Sequence, residues 1–99
     1  MPSSFIEKLT ATIKENDSLL CVGLDPDPER IPPEFKRDGR PAEQLLAFCL
    51  DIIERTSDLV CAYKPNFAFF EQAGPEGLAA LRDVIAAVPD GIPVLLDAK

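Results

Sequence analysis

The amino-acid sequence predicts an α/β fold with a parallel sheet of three strands, in a single domain that spans residues 1–99. Three short apolar runs have the length of strands, and the first does not alternate polar with apolar residues, which is typical of a strand that is buried on both faces. These runs are residues 18–24, 59–63 and 92–96. Amphipathic stretches at helical spacing lie between them, and strands that alternate with helices connect through right-handed crossovers. The predicted order is therefore helix, strand, helix, strand, helix, strand.

Three helices are predicted from their first residues and their apolar stripes. The first begins at a capping box formed by Ser4 and Glu7. Pro41 suits the first position of the second helix, which continues to about Thr56, and Pro75 begins the third. The apolar stripes consist of Phe5, Ile6, Leu9 and Ile13; of Leu45, Leu46, Phe48, Cys49, Ile52 and Ile53; and of Leu78, Leu81, Ile85 and Val88.

Two segments have no predicted helix or strand. Residues 26–40 are polar and rich in proline, and an ordered loop of that length is usually functional. Residues 67–74 are expected to form a loop or a short turn ahead of the third helix.

The composition argues against several classes of function. Ten Lys and Arg against 17 Asp and Glu give a net charge of −7, whereas nucleic-acid and anionic-membrane binding both need a basic surface. No apolar run is long enough to span a membrane. The first residues lack the features of a secretory signal, so a cytosolic setting is expected. The sequence has no histidine, which removes Ser-His-Asp catalysis and most zinc sites.

The three cysteines give no sign of a disulfide framework or a metal site. Cys21, Cys49 and Cys61 have no C-x-x-C spacing, and each lies in an apolar stretch. We expect three buried, reduced thiols that pack as small apolar side chains. Any chemistry in this chain must therefore depend on Lys, Asp, Glu, Arg or Tyr63.

Ionisable side chains stand at the carboxyl end of every predicted strand. Asp25 follows the first strand, Lys64 the second, and Asp97 and Lys99 the third. Side chains alternate along a strand, so Asp97 and Lys99 share one face. The carboxyl ends of parallel strands meet at one edge, where α/β enzymes place their active sites. Each residue alone could be structural, as a turn, a lysine along a sheet edge or a surface ion pair; together they favour a functional site.

Three segments of the chain resemble orotidine 5′-phosphate decarboxylases, in the bacterial branch with a long loop after the first strand. They are Val-Gly-Leu-Asp-Pro at residues 22–26, Tyr-Lys-Pro-Asn at 63–66 with Phe-Phe-Glu at 69–71, and Leu-Asp-Ala-Lys at 96–99. The resemblance covers essentially the whole chain. It implies a (β/α)8 barrel, a homodimer, and the conversion of orotidine 5′-phosphate to uridylate and CO2 in pyrimidine biosynthesis, without cofactor or metal.

The resemblance also implies roles for individual residues. Asp25 and Lys64 match an acid and a lysine that contact the ribose of the substrate, and Lys64 also joins a charged network. Asp97 and Lys99 match the first acid and the lysine of the family's D-x-K-x-x-D motif. Lys99 would stabilise the carbanion left by CO2 and return a proton, while Asp97 keeps it cationic. Asn66 belongs to the resemblance without an assigned role.

The chain also departs from the family pattern. The second aspartate of the motif would fall three residues after Lys99, and the phosphate-binding loops lie on later strands. A complete barrel needs eight strands and about 200 or more residues. We therefore expect a partial barrel, truncated after the third strand and inactive alone, whose open edges favour association.

Other interpretations remain open. Lys64 or Lys99 could be the Schiff-base lysine of a barrel aldolase. A metal-dependent sugar-phosphate enzyme of the same superfamily shares the Asp-x-Lys signature. The chain could instead be non-catalytic, as a partial-barrel fragment or an assembly module.

Overall fold

The computed structural model describes residues 4–36 and 39–98, and its elements alternate as the sequence predicts. They are α1 (Phe5–Asn16), β1 (Cys21–Leu24), α2 (Pro41–Thr56), β2 (Ala62–Pro65), α3 (Phe67–Glu71) and α4 (Gly74–Ala87), with a 3-10 turn at Pro33–Phe35. The predicted α/β class is confirmed. No helix in the described ranges is long and apolar enough to cross a membrane.

The three predicted helices begin at the residues that the sequence signals indicate, or within one residue of them. The Ser4 hydroxyl accepts the Glu7 backbone N–H at 3.1 Å, which satisfies one of the unpaired donors of the first turn. Pro41 is the first residue of α2, and the helix ends at Thr56 as predicted. Pro75 lies in the first turn of α4, where its missing N–H costs nothing.

β1 and β2 form a parallel pair, with Cys21 beside Ala62 and Leu24 beside Pro65. On the other side of β2, residues 93–97 continue the ladder; we call them the edge segment. Tyr63 pairs with Val94, and Asn66 pairs with Asp97, in parallel bridges. β2 is therefore the middle of three parallel segments, but the predicted third strand is present only as two separate bridges.

Pro65 explains why the third ladder is interrupted. Before it, Tyr63 N–H donates to Pro93 C=O at 3.1 Å and Leu95 N–H donates to Tyr63 C=O at 2.8 Å. The next bond in the pattern would run from residue 65 to the Leu95 carbonyl, but proline has no N–H. Beyond the gap, Asp97 N–H donates to Pro65 C=O at 2.9 Å. The edge segment is thus a strand with one bond missing.

The boundaries predicted for β2 were wrong by about three residues. The strand covers Ala62–Pro65 rather than residues 59–63, so Lys64 lies within it instead of following it. Lys64 can lie within the strand because its side chain is exposed to solvent, where its charge carries no desolvation cost. The predicted loop at 67–74 contains α3, which Asn66 caps by accepting the Ala68 N–H at 3.1 Å.

Helices cover only one face of the sheet. The core on that face contains Leu24, Cys49, Ile53, Val60, Tyr63, Phe70, Leu81, Val84, Val88 and Ile92. The opposite face presents residues 21, 23 and 25, then 64 and 66, then 95 and 97; we call it the open face. Cys21, Lys64 and Leu95 are exposed there. The expectation that the first strand is buried on both faces was wrong for this chain, since Cys21 is exposed.

The same asymmetry corrects the prediction for the thiols. Cys49 and Cys61 are buried as expected, but Cys21 is exposed. Cys21 is a residue of β1 on the open face, whereas the side chains of Val22 and Leu24 point to the covered face, where Leu24 is fully buried. An apolar run alone does not show which of its faces has a covering layer.

α1 closes the amino end of the sheet through polar contacts. The Thr12 hydroxyl is buried and lies 2.8 Å from the Cys61 carbonyl. The Asn16 amide donates to the Val60 carbonyl at 2.9 Å. Two residues of the predicted apolar stripe, Phe5 and Ile6, are exposed, so these hydrogen bonds rather than that end of the stripe fix the helix.

The proline-rich segment after β1 is ordered by packing where it is described. Ile31 is buried, and the Phe35 ring, in the 3-10 turn, meets Phe48 of α2 edge-on with 5.6 Å between centroids. The Phe35–Phe48 contact holds this part of the loop against α2, without a regular helix or strand in its described residues beyond that single turn.

Candidate active site

Three of the four predicted site residues lie on the open face, near the carboxyl ends of the parallel segments. Asp25 follows β1, Lys64 is the third residue of β2, and Asp97 ends the edge segment. Asp25 and Lys64 are exposed and Asp97 is half-buried. The fourth, Lys99, lies outside the described residues.

The register arranges these residues in two rows. Gly23 pairs with Lys64 in the lower row. In the upper row Asn66 pairs with Asp97, and the Asn66 N–H donates to the Leu24 carbonyl at 3.0 Å. Asp25 is one residue beyond Leu24, so it stands at the same level as Asn66 and Asp97. Residues separated by more than 70 positions are thereby brought to one edge.

The backbone around Asp25 is firmly anchored. Leu24 and Pro26, its two neighbours, are fully buried, and the Asp27 N–H donates to the Asp25 carbonyl at 2.8 Å. The carboxylate itself is exposed, with Oδ2 3.0 Å from the point that a Cβ on Gly23 would occupy. The side chain thus folds back along β1 over residue 23, on the open face.

Asp25 also acts electrostatically on the layer beneath the sheet. Burial, and to a smaller extent the Asp25 carboxylate, raise the pKa of the Cys49 thiol to about 12. A thiol with that pKa is neutral at any physiological pH. Cys49 therefore supports the site as an apolar residue and has no nucleophilic role.

The Lys64 ammonium acts electrostatically on a residue of β1. Burial of the sulfur atom and the neighbouring Cys61 raise the pKa of the Cys21 thiol, while the Lys64 ammonium opposes that shift. Cys21, Gly23 and Lys64 lie on the same face. The open face therefore combines a cation on the middle strand with two acidic residues, Asp25 and Asp97, whose backbones lie in the upper row.

Asn66 is a site residue to which sequence reasoning gave no role. It lies between Asp25 and Asp97 in the upper row, and its side-chain oxygen is fixed by capping α3. The available signal was an Asn directly before the apolar run 67–70, which is typical of a helix N-cap.

The site is an open surface at the edge of the sheet. A groove of about 300 Å³ lies elsewhere, between the starts of α2 and α4, where Arg40 and Glu76 form an ion pair at 2.6 Å. In the ranges 4–36 and 39–98, no group of three or more His, Cys, Asp or Glu is arranged to hold a metal ion. The described site residues present one ammonium, two carboxylates and one amide to a ligand.

Comparison with known proteins identifies the family. No family model matches the chain. The orotidine 5′-phosphate decarboxylase of Thermomicrobium roseum is 54% identical over 96 residues, which are 97% of this chain and 33% of that protein. The enzyme of the same name from Herpetosiphon aurantiacus is 53% identical over 95 residues, covering 96% of this chain and 34% of its own length.

A solved structure agrees with the sequence relatives. The structure of Leishmania donovani OMP decarboxylase superposes with a TM-score of 0.78 at 45% identity, over 98% of this chain and 34% of that one. The chain therefore spans about one third of the length of its relatives, and its parallel segments and helices are part of their α/β barrel. Over the residues it has, this chain belongs to the orotidine 5′-phosphate decarboxylase family.

Proposed function

We propose that this chain forms the first three strand units of an orotidine 5′-phosphate decarboxylase, as one partial-barrel domain. The complete enzyme would convert orotidine 5′-phosphate to uridine 5′-monophosphate and CO2. The observation that carries the proposal is the common placement of Asp25, Lys64 and Asp97 at one edge of the open face, in a chain with family relatives at about 50% identity.

Asp25 and Lys64 are proposed to bind the ribose. Both are exposed on the open face, and a carboxylate beside an ammonium can accept and donate hydrogen bonds to neighbouring hydroxyl groups. Binding energy from this unreactive part of the substrate can hold the pyrimidine in its reacting position. The fixed backbone of Asp25 limits how far its carboxylate can move.

Asp97 and Lys99 are proposed to act at the reacting carbon. When the bond from C6 to the carboxylate breaks, the electron pair stays on C6 and CO2 leaves. A nearby ammonium stabilises that negative charge and then transfers its proton to C6. The backbone of Asp97 is held on both sides, because its N–H donates to Pro65 and its C=O accepts from Phe67 at 2.8 Å. Asp97 would keep the lysine protonated.

The assembly and setting are also proposals. The 99-residue chain leaves Leu19, Leu20, Leu95 and Leu96 exposed beside the sheet edges, so we expect further strands of a barrel to cover them. We expect the chain alone to be inactive and to associate. For the complete enzyme we propose a cytosolic homodimer, with free thiols at all three cysteines.

A chimera tests the function. This chain would replace the matched segment of the Thermomicrobium roseum relative, and purified protein would be assayed for conversion of orotidine 5′-phosphate to uridine 5′-monophosphate. We expect decarboxylation by the chimera, a loss of roughly 100-fold or more in kcat/KM for Lys64→Ala, and a loss of several orders of magnitude for Lys99→Ala.

The matched control is Lys14→Ala, which removes an exposed lysine on α1 and should leave kcat/KM unchanged. A folded chimera without activity would contradict the proposed function. Turnover near that of the unchanged chimera after Lys99→Ala would contradict the role of that lysine. Trapping of a carbonyl substrate by borohydride would instead favour a Schiff-base aldolase.

A further inference from the structure

In the part of the chain that the structure describes, neither the backbone conformation nor the packing around Gly23 requires a glycine. It lies inside β1, where glycine weakens a strand because it adds backbone freedom and packs nothing. Its backbone does not need glycine, since the described glycines with positive φ are Gly39 and Gly74. Apart from its two chain neighbours, no described backbone atom lies within 4 Å of a Cβ added at this position. Among the described atoms, those near an added Cβ belong to one side chain, Asp25, with Oδ2 at 3.0 Å and Cγ at 3.9 Å.

We propose that Gly23 is a positioning residue that sets the conformation of the Asp25 carboxylate. By leaving the space above residue 23 empty, it lets that carboxylate fold back along β1, into the row that Gly23 shares with Lys64. The inference rests on the proposed function, because it assigns Asp25 to the ribose of the substrate. It adds a residue that touches no substrate and acts only through another side chain.

The geometry around Gly23 predicts that a larger residue there changes the position of the Asp25 carboxylate without destabilising the fold. A Cβ at 3.0 Å from Oδ2 is closer than ordinary van der Waals contact, so the carboxylate must give way. Since Leu24 and Pro26 are fully buried, the backbone stays in place and the Asp25 side chain rotates instead. A valine adds two methyl groups beyond that Cβ, so it should displace the carboxylate further than an alanine does. We expect no loss of strand stability, because valine favours strands over glycine.

The test uses the chimera described above with Gly23→Ala and Gly23→Val. A displacement of a few tenths of an ångström should lower kcat/KM about threefold for alanine, and one of about 1 Å should lower it up to about 100-fold for valine. The thermal midpoint should stay the same or rise. Gly91→Ala is the matched control, because nothing lies within 4 Å of a Cβ added there.

Two further measurements isolate the positioning role. In the background of Asp25→Ala, Gly23→Val should have no additional effect on kcat/KM, since the two changes act through one carboxylate. An equal loss in both backgrounds would overturn the inference. A crystal structure of the Gly23→Val chimera should show the Asp25 carboxylate displaced; an unmoved carboxylate would overturn it whether or not the protein is active.

The outcomes separate the two proposals. A folded chimera that does not decarboxylate orotidine 5′-phosphate counts against the proposed function alone, and the crystal structure still decides the role of Gly23. An active chimera in which Gly23→Val lowers the thermal midpoint and acts independently of Asp25 counts against the positioning role alone.

Discussion

The open face of the sheet, which no described helix covers, predicts a large difference in reactivity between the thiols of this protein. Cys21 lies exposed on that face, while Cys49 and Cys61 are buried. We expect iodoacetamide at pH 8 to modify Cys21 first in the native chain. The other two thiols should react only after unfolding, because the reagent must reach the sulfur atom and the sulfur must be ionised.

The size of the difference follows from ionisation alone. An ordinary thiol with the reference pKa of 9.0 is about one-tenth thiolate at pH 8, whereas Cys49, with a pKa of about 12, is about one part in 10,000. That is roughly a 1000-fold reduction before its burial is counted. The pKa of Cys21 is also raised, by burial of the sulfur and by Cys61, so it should react more slowly than a free cysteine.

The assay is a time course of alkylation followed by peptide mass spectrometry, with a parallel sample in urea in which all three thiols should react. Protection of Cys21 equal to that of Cys49 in the native chain would refute the reasoning, because it would mean that the face is covered in solution. In the chimera the same residue should become protected, since a closed barrel surrounds that face with strands.

Two further predictions concern stability, measured by urea unfolding. Folding raises the pKa of Cys49 above the reference value of 9.0 to about 12. As the pH rises, the thiol therefore loses its proton in the unfolded state before it does so in the folded state. The free energy of unfolding should fall by about 1.4 kcal/mol between pH 8 and 10. Cys49→Ala should remove that part of the pH dependence, and an unchanged slope would contradict the assignment. Thr12→Val should destabilise the chain by about 1–2 kcal/mol, because it removes the hydroxyl that lies 2.8 Å from the Cys61 carbonyl. The control Thr10→Val changes an exposed threonine of the same helix, and an equal loss there would show that the hydrogen bond is not the cause.

Local signals in the sequence were sufficient for α1, α2 and α4, whereas α3 lies where a loop or a short turn is expected. Ser4 with Glu7, and Pro41 before a wide apolar stripe, mark helix starts through the hydrogen-bonding limits of the first turn. Both starts are confirmed. The strand–helix alternation likewise predicted the parallel arrangement, and the ionisable residues at strand ends led to the edge where Asp25, Lys64 and Asp97 lie.

The errors arose where a property depends on what covers a surface. An apolar run such as residues 18–24 has the same sequence whether one face or two are covered, so the exposure of Cys21 was not predictable from it. The sequence predicts that the second strand ends before Lys64, although a lysine on the open face and a proline whose ring is buried both fit inside a strand. The conformation of Asp25 depends on Gly23, which has no side chain. The pattern of apolar and polar residues in the sequence does not reveal such an effect.

The missing hydrogen bond at Pro65 divides the sheet into two zones that can open independently. Amides before the gap, at Tyr63 and Leu95, and amides beyond it, at Asp97 and Phe67, belong to separate sets of bonds. Hydrogen exchange reports such local openings, each with its own free energy. We expect the apolar part of the edge segment to fray while Asp97 keeps its backbone partners. Local opening of the apolar part of the edge segment should therefore leave Asp97 in place, and with it the carboxylate that is proposed to act at the reacting carbon.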